Sequence, residues 1–192
     1  MADFTHRIVL RHGVSADDAR FVAWRHRWRL VELQREEAEA FSDIWTTSDG
    51  AEIHLVDDRP IGTMYFTLRG EGSDREAERI REGCDVWAYA DAVASISASA
   101  GRDSKMLAIY AAALTAPDAE DEALVSEFRA AARDSDEAVR QAVVIATSYL
   151  PWPGLVELIR TIRDTDANAY VREGAQILLE GIAQAGKESG RD

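Results

Sequence analysis

A single cysteine, Cys84, and no histidine beyond His54 remove several chemistries from this 192-residue chain at the outset. One thiol cannot close an internal disulfide and has no companion at zinc-site spacing, so Cys84 reads as a buried, inert thiol. Phosphate-binding glycine loops, the Gly-x-Ser-x-Gly elbow and the dinucleotide fingerprint are all missing. Asp57-Asp58 places two carboxylates side by side but immediately precedes Arg59-Pro60, which is ordinary turn chemistry. Long apolar runs are missing too: Ala92 to Ala100 is the most apolar stretch, and it is short and serine-rich. Met1 to Gly13 sets Asp3, His6, Arg7, Arg11 and His12 around three consecutive apolar residues, unlike a signal peptide. A soluble, cytoplasmic protein with no membrane partner is the expectation. Positive charge is scarce, 22 Lys and Arg against 35 Asp and Glu, for a formal charge of -13. That sign opposes nucleic-acid binding, which relies on cations displacing counterions from phosphates. A partner protein with a basic surface fits better.

What is present is unevenly spread. Residues 1–40 hold seven Asp or Glu and seven Arg, so the other 152 residues carry the whole -13. Three of the four histidines, His6, His12 and His26, also lie in that first segment. Two parts of different character follow. Arg7 to Arg11 is short, β-branched and stops near Gly13, as a strand does. Ser15 then caps a helix with Asp17 and Asp18 in its first turn. Phe21, Trp24, Trp28 and Val31 recur at the spacing of one helical face, so the helix is expected to run to about Phe41 with both tryptophans buried. Ser48-Asp49-Gly50 and Arg59-Pro60-Ile61-Gly62 read as turns. Between and after them Ile53, Leu55, Met64, Phe66 and Leu68 alternate with more polar residues, as strands of an antiparallel meander do. Gly70 to Asp74 ends this α+β part, which is assigned residues 1–72.

From Ser73 onward the pattern turns helical. Asp134-Ser135-Asp136-Glu137-Ala138-Val139-Arg140-Gln141-Ala142 is echoed by Asp164-Thr165-Asp166 and Val171-Arg172-Glu173-Gly174-Ala175, with Val139 and Val171 32 residues apart. In each copy an amphipathic helix (Leu124 to Arg133; Leu155 to Arg163) runs into an acidic turn, and a second helix opens with Val-Arg. The turn Asp caps that helix, the small Ala142 or Gly174 lets a neighbouring helix approach, and the Arg is placed to pair with turn aspartates of its own or the next repeat. A worn earlier copy spans Asp85 to Leu114, with Lys105-Met106 in place of Val-Arg.

Asp-x-Asp-x-x-Val-Arg-x-Ala resembles the HEAT-repeat family over about residues 85–183. The resemblance implies a mostly α fold: a short HEAT-like α-α superhelix over residues 73–186, preceded by the small α+β domain and followed by a tail at 187–192. It also implies a concave face lined by second helices. Some HEAT-like enzymes hold two irons with His-Glu pairs, and this chain has no such dipeptide; others excise alkylated bases through a basic groove, whereas these repeats are acidic. No enzyme, metal or cofactor is therefore expected.

Candidate binding residues follow from the same reading. Gln141 and Ser148 on one second helix, and Glu173, Gln176 and Glu180 on the next, form polar stripes on the expected concave face. Tyr149, Trp152 and Tyr170 flank the turns and are expected at the core edge. Arg25 and Arg29, one turn apart in the expected long helix with Glu32 and Glu36, form either a solvated face or an anion-binding patch with Arg20, His26 and Arg27. The expected role is a non-catalytic scaffold that docks a partner protein on an acidic surface. Its sharper form is an immunity or antitoxin-like inhibitor of a basic toxin, and its rival is a small-molecule pocket where the Tyr65, His54 and Arg69 side of the sheet meets the repeats.

Overall fold

The structure, a computed structural model, describes residues 6–37 and 40–189. Two units divide the chain, one ending at Ala88 and the other beginning at Tyr89. In the first unit, strand β1 (His6–Val9) and helix α1 (Ala16–Arg25) precede strands β2 (Arg29–Glu37), β3 (Ala40–Thr46), β4 (Glu52–Asp58) and β5 (Thr63–Arg69), and helix α2 (Ser73–Gly83) closes the series. The strands make one antiparallel sheet in the order β1-β5-β4-β3-β2. The expected meander is there, with Ile53 opposite Leu68 and Leu55 opposite Phe66. It continues one hairpin further toward the N-terminus than the sequence suggested.

That hairpin replaces most of the expected long helix. The start is as read: Ser15 accepts from the Asp18 N–H while Asp18 accepts from the Ser15 N–H, a reciprocal cap. The helix stops at Arg25, however, and residues 29–37 and 40–46 pair as β2 and β3. Glu, Leu, Gln and Arg in this stretch favour helix locally, but the buried Ile44 and Trp45 of β3 need a partner strand, and that packing outweighs propensity. The proposed apolar stripe therefore dissolves. Phe21, Trp24 and Val31 are 57%, 74% and 55% exposed, while Trp28 is buried at 7%. Trp28 stands edge-on to Phe66, their ring planes 84° apart, in a core shared with Ile8, Val22, Ile53 and Leu68.

Ala77 and Ile80 of α2 complete that core. For this reason the break falls after Ala88, where the sequence placed it at residue 72. Arg11 N–H bonds the Asp85 carbonyl and Trp87 N–H bonds the Val9 carbonyl, holding the connecting segment to β1.

The second unit is helical: α3 (Tyr89–Ala98), α4 (Arg102–Thr115), α5 (Glu122–Ala131), α6 (Glu137–Tyr149), α7 (Pro153–Thr165) and α8 (Ala169–Ser189). Helix α8 continues into the expected tail, of which residues 190–192 lie outside the described residues. Consecutive helices pair as α3–α4, α5–α6 and α7–α8; α3, α5 and α7 also pack in one row, and α4, α6 and α8 in another. The α+β part and the helical part are thus as the composition pattern indicated. No helix among the described residues is long and apolar enough to cross a membrane.

Turn chemistry explains the spacing of the second row. Asp136 caps α6 by accepting from Ala138 N–H, and Asn168 caps α8 by accepting from Tyr170 N–H. Four residues beyond each cap, and beyond Gly101 before α4, stands a cation: Lys105, Arg140 and Arg172. Lys105 Nζ donates to Asp134 Oδ2 at 2.7 Å, reaching the turn of the next pair. Arg140 does the same with both arms of its fork, at 2.7 and 3.0 Å to the Asp166 carboxylate. It also donates to the Asp134 and Ser135 carbonyls of its own turn. Both side chains are enclosed, Arg140 at 12% and Asp166 at 4% exposure. The Arg140 hydrogen bonds hold the Asp166 carboxyl below the usual carboxylate range.

Removing one member of an enclosed pair strands the other. Arg140→Ala is expected to lower the unfolding free energy by about 2–4 kcal/mol in urea denaturation. Arg172→Ala, whose partners include only the Asp166 and Ala167 carbonyls among the bonds described, is expected to cost about 1 kcal/mol.

Candidate partner-binding groove

Helices α6 and α8 leave a groove between them with a cavity volume of about 480 Å3. Three of the sequence-selected residues line it together: Gln141 and Ser148 from α6, and Glu173 from α8. Its apolar part comes from Val144, Ile145, Ile177 and Leu178, with Tyr170 at one end. Tyr170 and Ile177 are 68% and 63% exposed, and among the described residues they are the two large hydrophobics of the second unit left in solvent. Tyr170 is therefore part of this groove and not of the core edge. Trp152 does sit at that edge, 6% exposed, with its indole N–H donating to the Asp118 carbonyl.

Gly174 shapes the groove. A Cβ there would come within 2.7 Å of Gln141 Nε2, so the Gln141 side chain lies against α8 because α8 has no side chain at that point. Gln141 Oε1 is buried without a hydrogen-bond partner among the described residues. Such an acceptor costs about 1–3 kcal/mol relative to a paired one. Ser148 spends its proton on the Ile145 carbonyl, and Glu173 is exposed. Gln176 and Glu180 leave the stripe: they bond each other on the exposed side of α8 and do not line the groove.

Two other cavities bear on the sequence reading. One of about 600 Å3 lies along α5 and α7, but the enclosed charges among its lining residues, Arg140 and Asp166, are already bonded to one another. The second, about 320 Å3, belongs to the first unit and gathers His26, Arg27, Arg29, Arg75 and Arg79 around Trp28 and Glu76. Arg29 reaches it from β2, whereas Arg25 ends α1 and does not line it, so these two are not one helical turn apart. Arg20 is spent on Asp43 at 2.7 Å.

Glu76 is the floor of that pocket and is wholly buried. It accepts from Trp28 Nε1 at 2.8 Å, from Arg75 Nε at 3.1 Å and from Arg79 Nη1 at 2.9 and 3.0 Å. Burial pushes its carboxyl up, but the hydrogen bonds from Arg79, Arg75 and Trp28 outweigh burial and leave it below the ordinary glutamate value. Sequence reasoning did not single out Arg75, Glu76 or Arg79, which lie within one helix at ordinary pairing distance. The signal that makes them special is Trp28, 48 residues away.

The other candidates are engaged locally. Tyr65 donates to Asp58, and burial with the nearby Asp58 pushes its phenol up to about 12. His54 and Arg69 both contact Glu52, at 2.7 and 2.6 Å. Among the described residues no cluster of three or more His, Cys, Asp or Glu is placed to hold a metal ion. Compared with known proteins, the chain matches no family model, no curated protein and no solved structure.

The buried carboxylate sets a pH dependence with a definite sign. Its folded value lies below the ordinary 4.5, so its contribution is complete above that value and is lost as pH falls through the folded value. Between about pH 6 and pH 3.5 the wild type is expected to lose more stability in urea melts than Glu76→Gln, which has no carboxyl to protonate. Equal losses would show that folding does not shift the Glu76 carboxyl, and a smaller loss in the wild type would show that it is held neutral in the folded protein.

Proposed function

We propose that this chain is a non-catalytic binding module, an acidic helical array of the HEAT type, which docks a basic segment of a partner protein in the α6–α8 groove. The observation that carries the proposal is the coincidence of the second unit's two exposed large hydrophobics, Tyr170 and Ile177, with the polar stripe of Gln141, Ser148 and Glu173. An exposed aromatic and an exposed isoleucine two turns apart on one face of a helix are what an interface buries at its centre. Covering a side chain of that size contributes about 1.5–3 kcal/mol, enough to matter once the cost of association is met.

Charge selects the partner. Residues 89–192 hold 17 Asp or Glu against 10 Lys or Arg, a net of -7. Such a field speeds encounter with basic surfaces and disfavours acidic ones. The HEAT-type reading draws on the 32-residue spacing of the buried Val139 and Val171, the paired helices, and the cation four residues after each cap. Covering a toxin's basic active site would be one form of this docking, and scaffolding another. In both, the chain occludes a surface without making or breaking a bond.

A photo-crosslinking residue placed at Ile177, with Arg160 on exposed α7 as the control position, tests the assignment in the native cell. The expected result is a protein linked at Ile177 and not at Arg160, through a Lys- or Arg-rich peptide. With that partner purified, Ile177→Asp is expected to weaken binding about tenfold or more. A partner linked equally at both positions, or one bound unchanged by Ile177→Asp, contradicts the groove as the docking site.

A further inference from the structure

The arginine pocket of the first unit is a separate site, and its chemistry is the opposite of the groove's. Four guanidinium groups, those of Arg27, Arg29, Arg75 and Arg79, line one cavity of about 320 Å3 in a chain whose formal charge is -13. Two of them are already partly neutralised. Arg75 bonds Glu76 and reaches Asp49 at 2.6 Å, and Arg79 bonds Glu76. These contacts hold the two side chains in place and leave Arg75 Nη1 and Arg79 Nη2 and Nε without a hydrogen-bond partner among the described residues. Arg27 and Arg29 meet no carboxylate among the described residues. Setting Glu76 and Asp49 against the four arginines leaves a local charge of +2, with Thr46, Thr47 and Ser48 lining the same pocket.

Arg27 is held there against its backbone preference. It follows α1 with a φ of 55°, in the left-handed region, its N–H bonded to the Trp24 carbonyl and the Trp28 N–H bonded to the Ala23 carbonyl. This is the helix-ending position that glycine usually takes, because any Cβ crowds the chain in that conformation. A long cation without a carboxylate partner is a poor choice for fold stability alone. Strain retained at a pocket wall points from the backbone toward a ligand.

We propose that this pocket binds the phosphate group of a small molecule, with Arg27 and Arg29 supplying the charge that Arg75 and Arg79 share with Glu76. A carboxylate offers two oxygens, too few for four planar forks, whereas a phosphate monoester offers three terminal oxygens and nearly two negative charges. The pocket volume lies at the lower end of the range for small-ligand sites, which suits a phosphate with a compact organic body.

The test is titration of the full-length protein with inorganic phosphate and with ribose 5-phosphate at about 0.15 M salt. The Trp28 indole N–H resonance serves as the reporter, since that group lies on the pocket floor against Glu76. Saturable binding with a Kd below about 1 mM is expected. Tighter binding of the ester identifies an organic phosphate as the natural source, and equal binding identifies free phosphate. Arg27→Gly is expected to weaken binding about tenfold while raising the Tm by about 2–4 °C, a combination that misfolding cannot produce. Arg29→Gln is expected to weaken binding to a similar degree, and Arg25→Gln, outside the pocket, to leave it unchanged. No saturable shift, full affinity in Arg27→Gly, or an equal loss in Arg25→Gln would overturn the site. A lowered Tm in Arg27→Gly would remove the strain argument.

Discussion

Arg140 and Asp166 meet within the second unit as two enclosed charges with their forks aligned, and the α6–α8 groove depends on that meeting. A buried ion pair is a weak source of net stability, because desolvating both charges offsets most of their attraction. Its value lies in register. The carboxylate of Asp166 also accepts from the N–H of Asn168, the residue that caps α8, so one side chain fixes the start of α8 and its distance from α6. Arg140 contributes the same rigidity from the other end by holding two carbonyls of its own turn. One pair earlier, Lys105 reaches Asp134 with a single point charge, which constrains less than a planar fork. The densest set of charge-assisted bonds therefore joins α6 to the turn before α8, the pair of helices on which Gln141 and Gly174 come into contact.

The first unit is organised by a different buried charge. Glu76 sits at the end of the Trp28 indole with no solvent exposure, and such a carboxylate persists only when its oxygens are filled. Trp28, Arg75 and Arg79 fill them. The same requirement brings two arginines to one spot, and the turn at Arg27 and the strand start at Arg29 add two more. An acidic chain thus carries a local cationic pocket whose origin is structural and whose surplus is not.

Legibility in the sequence tracked the distance over which an interaction acts. Caps, acidic turns and the Arg after each Val are local, and from them the helices α5 to α8 were readable within a few residues. Gln141, Ser148 and Glu173 were readable for the same reason, since helical spacing alone places them on neighbouring faces. Gln176 and Glu180 share that spacing but bond each other, a choice made by rotamers and not by periodicity. The failure lay in residues 26–46. Leu30, Glu32, Gln34, Arg35 and Glu36 have good helix propensity, and only the need of Ile44 and Trp45 for a covered sheet turns them into strand. Once that hairpin is in place, Trp28 faces the core and Trp24 faces solvent, so the tryptophan stripe misled. Arg75, Glu76 and Arg79 went unremarked in the sequence, because nothing within four residues announces that Glu76 is buried.

The central claim is that the Arg140–Asp166 contact holds α8 against α6 and so creates the groove. Native-state hydrogen exchange on Arg140→Gln, followed amide by amide, tests it most directly. The account predicts that amides in the first half of α8, about Val171 to Leu179, lose protection while those of α3 and α4 keep theirs. Unchanged protection in α8, or a uniform loss across all six helices of the second unit, would contradict it.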